Sequence, residues 1–220
     1  MLNSDVSYAC RLLDSVCLTM SHMTRNLPAW CLALVALSSV GCDGGDDPEP
    51  IALSARVHVG KVDGTDVVMG AVVESNDTLT IYSCGGATTL ATHTRWFGGT
   101  FGLDGDPNAF SMTTDDFVMT GERTEDGISG ELVEPDGTAH AVSFAPTADD
   151  AAPGLYSATM DGCRTGVVVF DDGTTQGTYC NDQGEFTQVI ILQPGDLSAN
   201  GFEVSVERPD GPISFFVDPV

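Results

Sequence analysis

Seven Asp-Gly dipeptides after residue 51, beginning at Asp63, Asp104, Asp126, Asp136, Asp161, Asp172 and Asp210, divide most of this chain into short pieces. Both residues tolerate the positive φ angles of tight turns, so the pair marks hairpins wherever apolar runs flank it. Such runs are present throughout. Val57 to Val62, Asp66 to Glu74, Thr78 to Ser83, Leu90 to Phe97, Phe117 to Gly121, Ile128 to Val133 and Ala139 to Phe144 are short and rich in β-branched or aromatic residues. So are Leu155 to Thr159, Gly166 to Phe170, Thr174 to Cys180, Phe186 to Leu192, Phe202 to Glu207 and Ile213 to Val217. Several alternate apolar with polar, as in Phe202-Glu203-Val204-Ser205-Val206, which gives one buried and one solvated face. No stretch after Cys42 keeps a helical period over three turns. The expected fold is all-β, an antiparallel meander closed into a barrel or folded into a sandwich.

A faint internal repeat divides that β domain, residues 52–220. The segment from Gly70 to Cys84 aligns without gaps to Gly166 to Cys180, matching Gly70, Val72, Val73, Thr78 and Cys84 with Gly166, Val168, Val169, Thr174 and Cys180. Asp63-Gly64 and Asp161-Gly162 sit at nearly corresponding places upstream. Two similar halves, 52–145 and 153–220, would then flank an Ala/Pro/Asp linker at 145–153. The competing reading is chance similarity between hairpins of like composition.

The other informative stretch is Leu27-Pro-Ala-Trp-Cys-Leu-Ala-Leu-Val-Ala-Leu-Ser-Ser-Val-Gly-Cys42, an apolar run preceded by Arg25. It is short for a membrane span and reads as the core of a signal peptide covering 1–41. Ser39-Val40-Gly41-Cys42 resembles the lipobox of bacterial lipoproteins, with Ser39 where that motif usually has Leu. The resemblance implies acyl chains on Cys42 and residence in the bacterial cell envelope, anchored in a membrane and facing the periplasm or exterior. Ser39 and Gly41 also suit an ordinary signal peptidase, which would release a secreted protein. Asp5 and Asp14 are out of place before a signal core, so Met20 or Met23 is the expected start. Residues 42–51, rich in Gly, Pro and acidic residues, read as the anchor and a flexible tether.

The formal net charge is −24 and the sequence pI is about 4.1. After Cys42 the basic residues are Lys61, Arg56, Arg95, Arg123, Arg164 and Arg208. Such a surface repels nucleic acid phosphates, so nucleic acid is not expected as a partner. An exported chain meets an oxidising compartment, where a disulfide is expected. Cys163 and Cys180 flank Asp171-Asp172-Gly173-Thr174, and a hairpin there would bring them together. Cys84 is the alternative partner of either. The repeat opposes the first pairing, because Cys163 corresponds to Thr65.

Candidates for chemistry are sparse. His58, His93 and His140 lie in separate strand runs without ligand spacing, and read as strand residues. Asp104, Asp106 and Asn108 place oxygens at alternate positions, and Asp115 falls where an EF-hand would close its loop. Ala109 stands in place of that loop's glycine, so a loose Ca²⁺ site on a β loop is the strongest form of the idea. Arg95 and Trp96 offer the other candidate. Trp96 is either core, with Arg95 paired to a carboxylate, or an aromatic platform that stacks a saccharide or peptide. Tyr82-Ser-Cys-Gly-Gly86 followed by Arg95-Trp96-Phe97-Gly98-Gly99 loosely resembles uncharacterised β-rich exported bacterial proteins, which implies no activity.

The expectation is a membrane-anchored extracytoplasmic lipoprotein whose acidic β domain binds an unknown protein or saccharide, or serves an envelope-structural role, without catalysis or a cofactor. The alternatives are a Ca²⁺-stabilised adhesion module and a secreted hydrolase using dispersed carboxylates.

Overall fold

The computed structural model describes residues 49–147, 152–191, 197–198 and 200–220. The signal peptide at 1–41, the anchor at Cys42, most of the tether and the middle of the linker lie outside them. Eight strands form the first sheet: β1 (Val57–Val62), β2 (Val68–Val73), β3 (Thr78–Cys84), β4 (Arg95–Thr100), β5 (Ala109–Thr114), β6 (Phe117–Thr124), β7 (Gly127–Val133) and β8 (Ala139–Pro146). A single helical turn, α1 (Leu90–His93), separates β3 from β4. The order is β4-β3-β2-β1-β8-β7-β6-β5, antiparallel throughout. Its edges, β4 and β5, are consecutive in the chain. Thr114 Oγ1 donates across them to the Trp96 carbonyl at 3.1 Å, so the sheet is a nearly closed barrel.

Alternation fills this barrel. Met69, Ala71, Leu79, Ile81, Phe97, Phe110, Met112, Met119, Ile128, Leu132, Val142 and Phe144 point inward and are buried together. On β2 the intervening residues Val68 and Val72 are buried as well. A strand apolar on both faces needs cover on its outer side.

The second sheet supplies that cover. It comprises β9 (Gly154–Met160), β10 (Cys163–Val169), β11 (Thr175–Cys180), β12 (Phe186–Gln188), β13 (Ile190–Ile191), β14 (Phe202–Val206) and β15 (Ile213–Pro219). Its order, β12-β11-β10-β9-β15-β14-β13, curves into a half-barrel whose edges β12 and β13 are separated in the chain by Val189 alone. One face carries its own core of Tyr156, Val167, Val169, Phe202, Val204 and Val217. The other sends Leu155 and Val168 against Val59, Val68, Val72, Tyr82 and Cys84 of the barrel. Glycines allow the close approach. A Cβ on Gly70 would meet the Leu155 side chain at 3.0 Å, and one on Gly166 would meet the Tyr82 ring at 2.5 Å.

The repeat is structural. Gly70 pairs with Tyr82 and Val73 with Leu79, while their counterparts Gly166 and Val169 pair with Thr178 and Thr175. The gapless alignment therefore preserves hairpin register. Only the preceding turn differs: Met160 pairs with Cys163 across Asp161-Gly162, whereas Val62 N bonds Val67 O across a longer loop. Asp161 and Gly162 have φ of 51° and 78°, the backbone a two-residue hairpin turn demands. In each half the last strand also closes on the first, β8 on β1 and β15 on β9.

Cys163 and Cys180 form the disulfide, with Cα atoms 5.8 Å apart, and Cys84 is a buried free thiol. The repeat and the bridge thus coexist. Two expectations need correction. The run from Leu90 to Phe97 begins as α1 rather than as strand. The carboxylate of Asp66 stops it from continuing β3: its two oxygens accept hydrogen bonds from Thr88 N, Thr88 Oγ1 and Thr89 Oγ1, which winds the segment before α1. The stretch read as a cation-binding loop contains β5.

Candidate functional site

Strand direction sorts the polar residues of the eight-stranded barrel to its two mouths. At one mouth the Arg95 guanidinium lies 3.5 Å from the centroid of Phe117. It donates to the carbonyls of Thr92 and Thr114 and pairs with Asp115 at 3.7 Å. Burial pulls its pKa down, and the charges of Asp115 and Glu134 oppose that. At the other mouth Arg123 lies 3.9 Å over Phe101 and pairs with Asp77. Each mouth is stoppered by a buried arginine on a phenylalanine ring, an arrangement that strengthens as the cation loses water.

Two histidines join the first mouth. His93 Nε2 and His140 Nε2 both reach Glu134 Oε1, at 3.1 and 2.8 Å. Burial would raise the Glu134 carboxyl, but hydrogen bonds from the two imidazoles outweigh it and hold it below the usual range. The contact ties α1 to β8 and to the residue after β7. Sequence spacing gave no sign of it, since the three residues come from a helical turn, a hairpin loop and a strand. His58 is buried on β1, where desolvation lowers its pKa.

The proposed cation ligands are not brought together. Asp104 sits on a tight turn at φ 54°, and Asp106 Oδ1 accepts from Asn108 N at 2.9 Å. The Asn108 side chain accepts from Ile51 N and donates to the Glu49 carbonyl, pinning the segment that leads into β1. Asp115 follows the far end of β5, a six-residue strand and so about 20 Å long. Among the described residues no group of three or more His, Cys, Asp or Glu side chains is arranged to hold a metal ion.

Arg95 and Trp96 point to opposite sides of β4, as adjacent strand residues must. Trp96 projects toward the second sheet, where its ring centroid is 4.6 Å from that of Tyr82. The Arg164 guanidinium lies 3.6 Å over the indole, whose Nε1–H donates to the Arg164 carbonyl at 3.0 Å. The indole face is therefore occupied by a guanidinium from β10 and is not an open platform. Beside this stack opens a cleft of about 220 Å³. Tyr82, Trp96 and Thr114 of the first sheet line it together with the Cys163–Cys180 disulfide, Thr178 and Phe186 of the second. Arg95, Arg164 and Asp115 are the charged residues at its walls.

Arg164 was not singled out by sequence, yet it differs from every other arginine of the domain. Arg56 pairs with Glu74, Arg95 with Asp115, Arg123 with Asp77, and Arg208 with Asp161 and Asp210. Among the described residues Arg164 has no carboxylate partner. No family model matches the chain, and no match is found among curated proteins or solved structures.

Proposed function

We propose that this protein is an exported module, tethered to a bacterial membrane through acyl chains on Cys42, that binds a ligand without transforming it. The observation that carries this reading is the cleft between the two sheets. A disulfide forms part of its wall, and structural disulfides persist in the oxidising compartments that an exported chain reaches. Its charged residues are two arginines and one well-exposed aspartate, a set suited to recognising charge. The acidic tether would hold the domain clear of the lipid surface, and the domain's own negative charge would keep it from lying on anionic headgroups.

Intact mass spectrometry of detergent-extracted protein from a bacterial host tests the anchor. The expected species begins at Cys42 and carries diacylglyceryl mass. A chain beginning at Cys42 without lipid, or one that retains the residues before it, overturns the tethered reading.

A further inference from the structure

We infer that the cleft between the sheets is a receptor for a small organic carboxylate, with Arg164 as the group that takes its charge. This rests on the binding role proposed above and names its ligand class.

The first observation is an imbalance. Acidic residues outnumber basic ones by 32 to 8 in this chain, so a basic side chain near the surface rarely lacks a carboxylate neighbour. Four of the domain's arginines have one. Arg164 has none among the described residues, although its side chain is ordered over Trp96 and lies at the rim of a cavity. The indole holds the guanidinium in place. A planar, oriented fork of N–H donors is the geometry that accepts a carboxylate through two parallel hydrogen bonds.

The second observation concerns the walls. The Tyr82 hydroxyl is buried beside Thr178 and Cys84 without a well-formed hydrogen bond. Tyr82 lines the cleft. A buried donor without a partner is costly, and a ligand oxygen would relieve that cost. Phe186, the disulfide and the Tyr82 ring supply apolar surface for the body of a ligand. The cavity is smaller than those that hold drug-sized ligands, so its occupant is small.

The third observation selects the charge. Arg95 and Asp115 pair with each other, which leaves Arg164 as the uncompensated charge at the cleft, inside a chain of net −24. A monoanion balances that site. A dianion such as phosphate would bring excess charge into a negative field.

The test follows the Trp96 indole and arginine side-chain N–H signals by NMR on the oxidised protein, titrated with acetate, benzoate and inorganic phosphate at millimolar concentration. Benzoate should move the Trp96 and Arg164 signals, and acetate should do so more weakly. Arg164→Gln should weaken benzoate about tenfold or more. Arg164→Lys, which keeps the charge and loses the fork, should fall between. Arg208→Gln should bind as the wild type does. The Arg164 side chain is exposed, so its replacement leaves the fold standing, which the remainder of each spectrum checks. The inference is overturned if no carboxylate moves these signals, if the response survives in Arg164→Gln, or if phosphate moves them as strongly as benzoate. A lipidated chain that ignores both carboxylates overturns the ligand class alone. An unlipidated chain that binds benzoate through Arg164 overturns only the tether.

Discussion

Replacing both bridged cysteines, Cys163→Ala with Cys180→Ala, should cost the domain about 3 kcal/mol, as the loop-closure relation gives for a sequence separation of 17. In that account the bond acts on the unfolded chain, by removing conformations in which the ends of the β10–β11 hairpin are apart. Two signatures follow. The urea midpoint should fall, and the slope of free energy against urea should rise, because an uncrosslinked chain exposes more surface on unfolding. For a domain of this size the loss corresponds to a drop in Tm of about 6–12 °C. Equilibrium urea unfolding followed by Trp96 fluorescence would measure both quantities. Cys84→Ala serves as the control. That thiol is buried beside Thr178 Oγ1, so its loss should lower the midpoint without raising the slope. A double variant within about 0.5 kcal/mol of the wild type would refute the argument, since effects of that size are ordinary for a surface change.

Gly166→Ala drives a methyl into the buried Tyr82 ring and should destabilise by about 1–3 kcal/mol in the same urea assay. Adding Tyr82→Leu should recover part of that loss, and strict additivity of the two changes would sink the docking account. Asp66 accepts hydrogen bonds from Thr89 and Thr88, which hold its carboxyl at about 2 against an ordinary 3.8. A depressed folded pKa means that its contribution is complete above pH 3.8 and disappears as pH falls through about 2. The stability of Asp66→Asn should therefore vary less with pH across that window, and parallel acid-unfolding curves would refute the assignment.

The strands were legible because period-2 alternation and turn chemistry agreed. Val57–Val62 was readable to the residue, rich in valine and closed by Asp63-Gly64. β5 was not, because Ala109-Phe-Ser-Met-Thr-Thr114 follows a run of carboxylates whose spacing imitates a metal loop. Its inward Phe110 and Met112 were the available signal, a short alternation without valine or isoleucine. α1 was hidden for a different reason. The group that winds its approach, Asp66, lies far upstream, and window-by-window reading cannot register a partner at that distance. The candidate site was half visible. Trp96 marked the place by its rarity, but the Arg164 that covers it comes from the other half of the repeat. Scarcity of positive charge was the usable clue: in so acidic a chain, each arginine invites the question of which carboxylate it meets.

The arginine stoppers at the two barrel mouths make the eight-stranded barrel a solid body rather than a vessel. With its interior filled by side chains and each end shut by a cation on a ring, a guest has nowhere to go inside without undoing the fold. Specificity in such a molecule can change without disturbing its foundation. The inward residues answer to volume alone, while the outer wall where the second sheet leans on the first is open to variation in shape and charge. Relatives sharing this frame would be expected to hold the stoppers constant and to differ along the cleft.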